Sequence, residues 1–328
     1  MLRYVFLILA VVSLLTAGCS GSNDDDKQLN KALILYSELD PEYTENLVRS
    51  YNKSTGGKIL LKAIYEIKPD SYRPDLVLAE GRTLSGLKAQ DRLRPVFFEL
   101  GDRLPSDFKD ADGYWYGAFY DPTVFLVNQQ YARECGQQNI EGWSDLETLS
   151  NARIAVENLS DSSSTKNFLG SMADHMGEVS SLNYMWNINR YVSQYAKFPF
   201  TPIRMTAVGD ADIAITRQSY VFKYLENDFP AYVVHPKEGS PANIYGVGLF
   251  SECNLTKEAA NFFDWIIGSA EVQKISQVDD TGYFFFYPRG RDYAAVDESK
   301  LWLNKSYLDY EKQEELVSKW LAKVRFSK

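Results

Sequence analysis

Histidine and cysteine are scarce in this chain of 328 residues, with two and three copies. The two imidazoles, His175 and His235, cannot together complete a histidine-built zinc or manganese centre. Three cysteines exclude a small scaffold stapled by many disulfides. Positive charge is also short: 35 Lys and Arg face 44 Asp and Glu, a net charge of −9. That balance excludes the dense basic surface that grips a phosphate backbone, so no nucleic-acid partner is expected. Catalytic and nucleotide signatures are missing too. There is no GxSxG elbow, no GxxxxGK[ST] loop, no GxGxxG and no HExxH, so neither an enzyme nor a bound cofactor is expected.

One long apolar run is present, residues 4–15 (YVFLILAVVSLL), and twelve residues are too few to span a bilayer comfortably. It follows Arg3 and ends at small residues, as in a signal peptide. The cleavage region Leu15-Thr16-Ala17-Gly18-Cys19 resembles a bacterial lipobox, with Thr16 where Leu is usual. This implies lipidation of Cys19 after removal of residues 1–18. Residues 19–29 then form a polar tether that cannot bury a core, and a lipid with more than one chain holds the body at a membrane surface. Cys135 and Cys253 are the pair to consider for a disulfide.

Beyond the tether, short apolar runs alternate with amphipathic stretches, and the length suits two domains. Ala32 to Tyr36 reads as a strand buried on both faces. Asp40 is its helix's N-cap, Pro41 its first residue, and Leu47, Val48 and Tyr51 its buried face. Strands follow at Ile59–Ile64, Leu76–Ala79, Ala152–Val156 and Asp212–Ile215. Ser144 to Glu147 has capping-box spacing, and Thr201-Pro202 opens a helix ending near Gly209. This alternation predicts parallel, doubly wound α/β layers. In such sheets ligands sit beyond the carboxyl ends of the strands.

That rule selects Ser37, Glu80, Gly81, Ser162, Ser163, Ser164, Thr165, Thr201, Arg217, Ser219 and Tyr220. All follow a predicted strand or open a predicted helix, with Asp121 added near the middle of the chain. Helix N-termini attract anions by about 0.3–1 kcal/mol each. Arg217 adds a guanidinium fork suited to phosphate or carboxylate. Asp121 and Glu80 suit an amine or sugar hydroxyls, and one of Tyr114, Trp115, Tyr116, Phe119 and Tyr120 is a candidate ligand contact.

From about Lys31 to Pro288 the order of these pieces resembles an extracellular solute-binding protein of a bacterial ABC importer, in the subgroup with ferric-ion and phosphonate binders. The matching pieces are Leu35-Tyr36-Ser37, Asp75-Leu76-Val77-Leu78 with Gly81, Asp112 to Gly117, Val127-Asn128 and Gln194 to Lys197. Gly209 to Ile213, Tyr232 to Gly239, Gly246-Val247-Gly248 and Ala259 to Trp265 complete the series. The resemblance implies a two-lobed periplasmic-binding-protein-like fold, two doubly wound α/β domains joined by crossover hinge strands. One lobe would comprise 30–122 with 246–290, the other 123–245 with 291–328. Val124–Val127 and Gly246–Phe250 would be the crossovers, with Gly246 and Gly248 suiting a hinge.

The implied function is to capture a small solute as a monomer and deliver it to a membrane permease. An anion bearing phosphate, phosphonate or carboxylate is favoured. Ferric-binding relatives use two adjacent tyrosines where this chain has Ser219-Tyr220, and a histidine near the first strand where it has Ser37-Glu38, so no metal is expected. A ferric ion or a sugar in the same clamp, or a sensor signalling to a membrane partner, are the alternatives left open.

Overall fold

The computed structural model describes residues 32–58, 60–68, 73–134, 140–225, 229–278, 284–285 and 298–327. The signal segment, Cys19, the tether and Cys135 lie outside the described residues. In chain order the elements begin β1 (Ala32–Ser37), α1 (Pro41–Ser54), β2 (Leu60–Ile64), β3 (Leu76–Glu80), α2 (Gly81–Ala89), β4 (Leu93–Arg94), α3 (Glu99–Arg103) and β5 (Trp115–Asn128). They continue with α4 (Gln129–Glu134), α5 (Trp143–Leu146), β6 (Ile154–Glu157), α6 (Ser163–Met176), α7 (Glu178–Asn189), β7 (Val192–Ala196), α8 (Phe200–Val208), β8 (Ile213–Arg217) and α9 (Gln218–Leu225). Last come β9 (Ala231–Val234), β10 (Ser240–Phe250), α10 (Thr256–Gly268), α11 (Ala270–Val278), β11 (Phe284–Phe285), β12 (Leu301–Trp302) and α12 (Tyr310–Trp320).

Local chemistry explains several boundaries. Asp40 Oδ1 accepts the N–H groups of Glu42 and Tyr43 at 3.0 and 3.4 Å, and Pro41 needs no acceptor, so α1 starts there. Its buried side chains Tyr43, Thr44, Leu47, Val48 and Tyr51 form one stripe against the sheet. α8 stops at Gly209, whose φ of 83° is left-handed and costs glycine nothing. The capping box expected at Ser144–Glu147 is displaced. Ser144 lies inside α5, Asp145 Oδ2 accepts from Gly142 N at 3.0 Å, and Glu238, distant in sequence, accepts from Trp143 N at 3.1 Å and Ser144 N at 3.2 Å.

The strand order is β2-β1-β3-β10-β5-β8-β6-β7. Parallel pairing, as expected, joins β1 to β2 and β3, and β6 to β7 and β8. The middle differs: β3, β10, β5 and β8 pair antiparallel in succession, because β5 and β10 pass from one lobe into the other. Residues 115–122 of β5 pair with β10, whereas Thr123–Val127 pair with β8. β5 is therefore shielded along its length, every residue after Trp115 being buried.

Two main cores result. Leu33, Leu35, Leu47, Tyr51, Leu78, Phe119, Phe262 and Phe263 pack in the first. Phe125, Trp143, Ile154, Leu169, Met172, Ile213, Leu316 and Trp320 pack in the second. The adjacent residues Leu301 and Trp302 enter different cores, so the chain spans the two lobes again at β12. Gly246 and Gly248, read from sequence as suiting a hinge, lie inside the sheet. Both are paired on each side within the sheet, and a Cβ on Gly246 would stand 2.8 Å from Leu84 Cδ1 and 2.9 Å from Trp115 Cε3. Leu84 of α2 and Trp115 leave no room for a side chain at Gly246, and at Gly248 a Cβ would stand 3.0 Å from Val77 Cγ1. Cys253 is a buried free thiol whose pKa burial pushes up to about 11, and Cys135, the partner considered for it, lies outside the described residues.

Candidate functional site

Three strands deliver their last residues to one cleft: Glu80 from β3, Glu157 from β6 and Arg217 from β8. The cleft has a volume of about 800 Å³ and is walled further by Ser162, Ser163 and Ser164 at the start of α6, by Lys197, Phe198 and Pro199 beyond β7, and by Tyr195 and Tyr220. The parallel register of β6 and β8, Val156 opposite Ile215, sets Glu157 and Arg217 at the same end of the second lobe's sheet. Glu80 reaches them from the first lobe. Its carboxylate accepts from the Ser164 hydroxyl across the cleft and from Tyr245 Oη at 3.2 Å.

Arg217 organises the floor. Nη1 donates to Ser164 Oγ at 3.2 Å and Tyr245 Oη at 3.3 Å, and Nη2 donates to the Tyr220 hydroxyl. Its guanidinium carbon lies 4.1 Å from the centre of the Tyr220 ring, a cation–π contact. Nη1 is 4.0 Å from Glu80 Oε1 and 3.9 Å from Asp121 Oδ2. Burial works against this charge, but Tyr245, Asp121, Glu80 and Glu157 prevail and hold its pKa above the usual arginine range. The fork read from sequence as an anion receptor is thus spent on protein groups. Only Nε, buried, has no hydrogen-bond partner.

The three carboxylates around Arg217 differ in how they are satisfied. Asp121, wholly buried, accepts the Ser219 N–H at 2.9 Å and the Ser219 hydroxyl, and burial pushes its pKa up to about 6 against the pull of Arg217. Glu80 is bonded as above. Glu157 is half-buried and receives no hydrogen bond among the described residues. Burial raises its pKa, Arg217 opposes the rise, and Asp161 and Glu80 add to it. Glu157, Asp121 and Arg217 also line a second, small chamber of about 30 Å³, about the size of one water.

The helix ends do not converge as expected. Glu38 closes the start of α2, accepting from Glu80 N at 3.0 Å and Thr83 Oγ1 at 2.9 Å. Asp121 closes the start of α9 through Ser219. At α6, Ser162 and Thr165 form a capping box with Ser162 Oγ accepting from Thr165 N at 3.2 Å. The N–H groups of Ser163 and Ser164 have no acceptor within their helix, and both residues line the cleft. α6 is the long helix whose first turn stays open to the cleft.

Of the residues selected from sequence, Glu80, Ser162, Ser163, Ser164, Arg217 and Tyr220 therefore meet at one cleft. The others stand apart from it. Ser37 is buried in its own turn, its hydroxyl 2.9 Å from Thr44 Oγ1 and accepting from Leu39 N at 3.2 Å. Asp121 and Thr165 face the small chamber, and Ser219 is turned inward onto Asp121. Thr201 lies in the first turn of α8 beside the lining residues Phe198 and Pro199, its N–H bonded to Phe198 O at 3.0 Å. Gly81 borders a separate cavity of about 210 Å³ with Glu80, Trp115 and Lys305. Tyr116, Phe119 and Tyr120 are core residues, Tyr114 packs against a smaller core cluster under Lys88, and Trp115 lines that second cavity.

Sequence reasoning missed Glu157, Asn158, Asp161, Tyr195, Lys197, Phe198, Pro199 and Tyr245. Glu157 carries the same strand-end signal as Glu80 and Arg217, one position past the last apolar residue of β6. β7 has a mostly polar edge pattern, so the loop holding Lys197 gave no such signal. Lys197 makes no ion pair among the described residues, and its Nζ lies 5.8 Å from the Phe198 ring centre. The histidines serve packing: His175 stacks on Trp302 at 4.0 Å, and His235 Nε2 is 2.9 Å from Gln218 Oε1. Among the described residues no group of three or more His, Cys, Asp and Glu could hold a metal ion, and no helix is long and apolar enough to cross a membrane.

Comparison with known proteins gives a consistent picture. A family model described as bacterial extracellular solute-binding protein matches residues 72–306. A protein of Haemophilus influenzae described as uncharacterized is 24% identical over 241 residues, covering 70% of this chain and 68% of that one. The periplasmic binding protein AfuA of Actinobacillus pleuropneumoniae, solved with fructose-6-phosphate bound, is similar over 90% of this chain and all of its own, at 19% identity and TM-score 0.69. A Bordetella ferric binding protein is similar over 88% of this chain and 98% of its own, at 16% identity and TM-score 0.70.

Proposed function

Because the chain belongs to the family of bacterial extracellular solute-binding proteins, the solute-capturing subunits of ABC importers, we propose that its cleft takes a small organic anion bearing phosphate, phosphonate or carboxylate. The observation that carries this reading is the open first turn of α6, where Ser163 and Ser164 face the same cleft as the unpaired Lys197. A helix start of fourteen residues and a lysine within one cleft both favour negative charge. Tyr195, Phe198 and Tyr220 offer apolar walls to the solute's carbon frame. The sugar phosphate named for AfuA belongs to this class. A ferric ion is less well served, since Tyr220 shares its hydroxyl with Arg217 and Tyr195 Oη donates to Asn189 Oδ1 at 2.7 Å.

Solute bound at the start of α6 in the second lobe, in the cleft that Glu80 of the first lobe also lines, shifts an open–closed equilibrium toward the closed form that a permease recognises. Lipid on Cys19 keeps the protein at the membrane surface beside that permease. The test is a thermal-shift panel on ligand-stripped protein with phosphate esters, phosphonates, carboxylates, sugars and ferric citrate. A ligand at a thousand times its Kd adds about 4 kcal/mol, which moves the melting point of a chain this size by several degrees. Stabilisation by an organic anion is expected. Stabilisation by ferric citrate or neutral sugars alone would overturn the reading.

A further inference from the structure

Around Arg217 every acidic side chain but one is spoken for. Asp121 is held by Ser219, Glu80 by Ser164 and Tyr245, while Glu157 faces the cleft with no donor among the described residues. Water in the cleft can reach that carboxylate, and a solute that displaces the water without supplying a donor leaves an unpaired acceptor, which is costly. Arg217, whose buried Nε has no hydrogen-bond partner, lines the same cleft.

We infer that Glu157 is the selectivity residue of the cleft, accepting a hydrogen bond from a hydroxyl or ammonium group carried by the anionic solute. This rests on the anion reading above and deepens it. A bare anion drawn to the start of α6 stands among Glu80, Glu157 and Asp161, with Arg217 and Lys197 as the opposing charges. It meets repulsion and leaves Glu157 unmet. A solute with a donor near its anionic group fills both ends at once, its anion on the Ser163 and Ser164 N–H groups and its donor on Glu157. Ammonium is preferred over hydroxyl, because it also offsets the excess negative charge. The cleft is thus bipolar, and it selects substituted anions against inorganic phosphate, simple alkyl phosphates and other anions without a donor.

The test uses three near-isosteric probes with the stripped full-length protein in isothermal titration calorimetry: ethyl phosphate, 2-hydroxyethyl phosphate and 2-aminoethyl phosphate. Wild type should bind the two donor-bearing esters at least about 100-fold more tightly than ethyl phosphate, the order expected where a buried polar group is otherwise left unpaired. Glu157→Gln, which keeps shape and removes charge, should bring the three affinities within about tenfold of one another and weaken the ammonium ester most. Glu157→Asp, with the charge kept one methylene back, should retain the order of preference. This second variant covers the case in which E157Q fails to fold. Equal affinities in wild type, or an unchanged preference in E157Q, would overturn the role of Glu157 while leaving the anion reading intact. Failure of all three esters, and of fructose 6-phosphate, to bind wild type would overturn the anion reading and this inference with it.

Discussion

Replacing Asp121 by Asn tests the electrostatics that hold the cleft floor. Asp121 sits where β5 leaves the first lobe, wholly buried, with its carboxylate on the N–H and hydroxyl of Ser219 and 3.9 Å from Arg217. Burial lifts its pKa from 3.8 to about 6, which is roughly 3 kcal/mol between its protonated and ionised forms. A carboxyl with a raised folded-state pKa favours the fold most when protonated. Its contribution is fully present below about pH 4 and is lost as the pH rises through about 6. Asn has nearly the same volume, can accept the Ser219 N–H and does not titrate. The stability of wild type minus that of Asp121→Asn should therefore fall by roughly 3 kcal/mol between pH 4 and pH 7. Urea denaturation of both proteins at closely spaced pH values measures it, the other carboxylates cancelling in the difference. A flat difference, or one that rises toward neutral pH, would mean that Arg217 outweighs burial and would refute the argument.

Three further outcomes follow from the packing. Gly246→Ala should destabilise the protein by about 1–3 kcal/mol in urea, because its Cβ would meet Leu84 and Trp115. Glu238, whose pKa the Ser144 and Trp143 N–H groups hold down in spite of burial, should stabilise the fold above the ordinary carboxylate range. The advantage of wild type over Glu238→Ala should then shrink as the pH falls, again in urea. Cys253, buried with its pKa pushed up to about 11, should resist iodoacetamide in the native protein and react once it is unfolded, as read from its peptide by mass spectrometry.

Much of this molecule is written locally in the chain. Residues 32–36 are all apolar because β1 is covered on both faces, and Asp40-Pro41 carries a local helix-start signal that α1 follows. Counting strand ends found Glu80, Ser162 to Ser164, Arg217 and Tyr220, since a parallel sheet puts such ends at one edge whatever its other details. The family resemblance supplied the two-lobed arrangement. What sequence could not supply was the state of each candidate once the lobes were assembled. Ser37, Ser219 and Ser164 look alike in the chain, yet the first bonds to Thr44, the second caps onto Asp121 and the third faces Glu80 across the cleft.

The difference arises from groups distant in sequence. Glu38 fills the start of α2 and Asp121 the start of α9, so one of the expected anion-attracting helix ends remains open at α6. Tyr245, in the middle of β10, reaches Arg217 and Glu80 because the paired registers of β3, β10 and β5 carry it there. Hydrophobic period and capping preference act over a few residues, so the sequence by itself determined the elements and the edge of the sheet where a site must lie. Which polar groups there are satisfied, and which, like Glu157, are left facing the cleft, depends on strand register and lobe contact, and only the tertiary structure decided it.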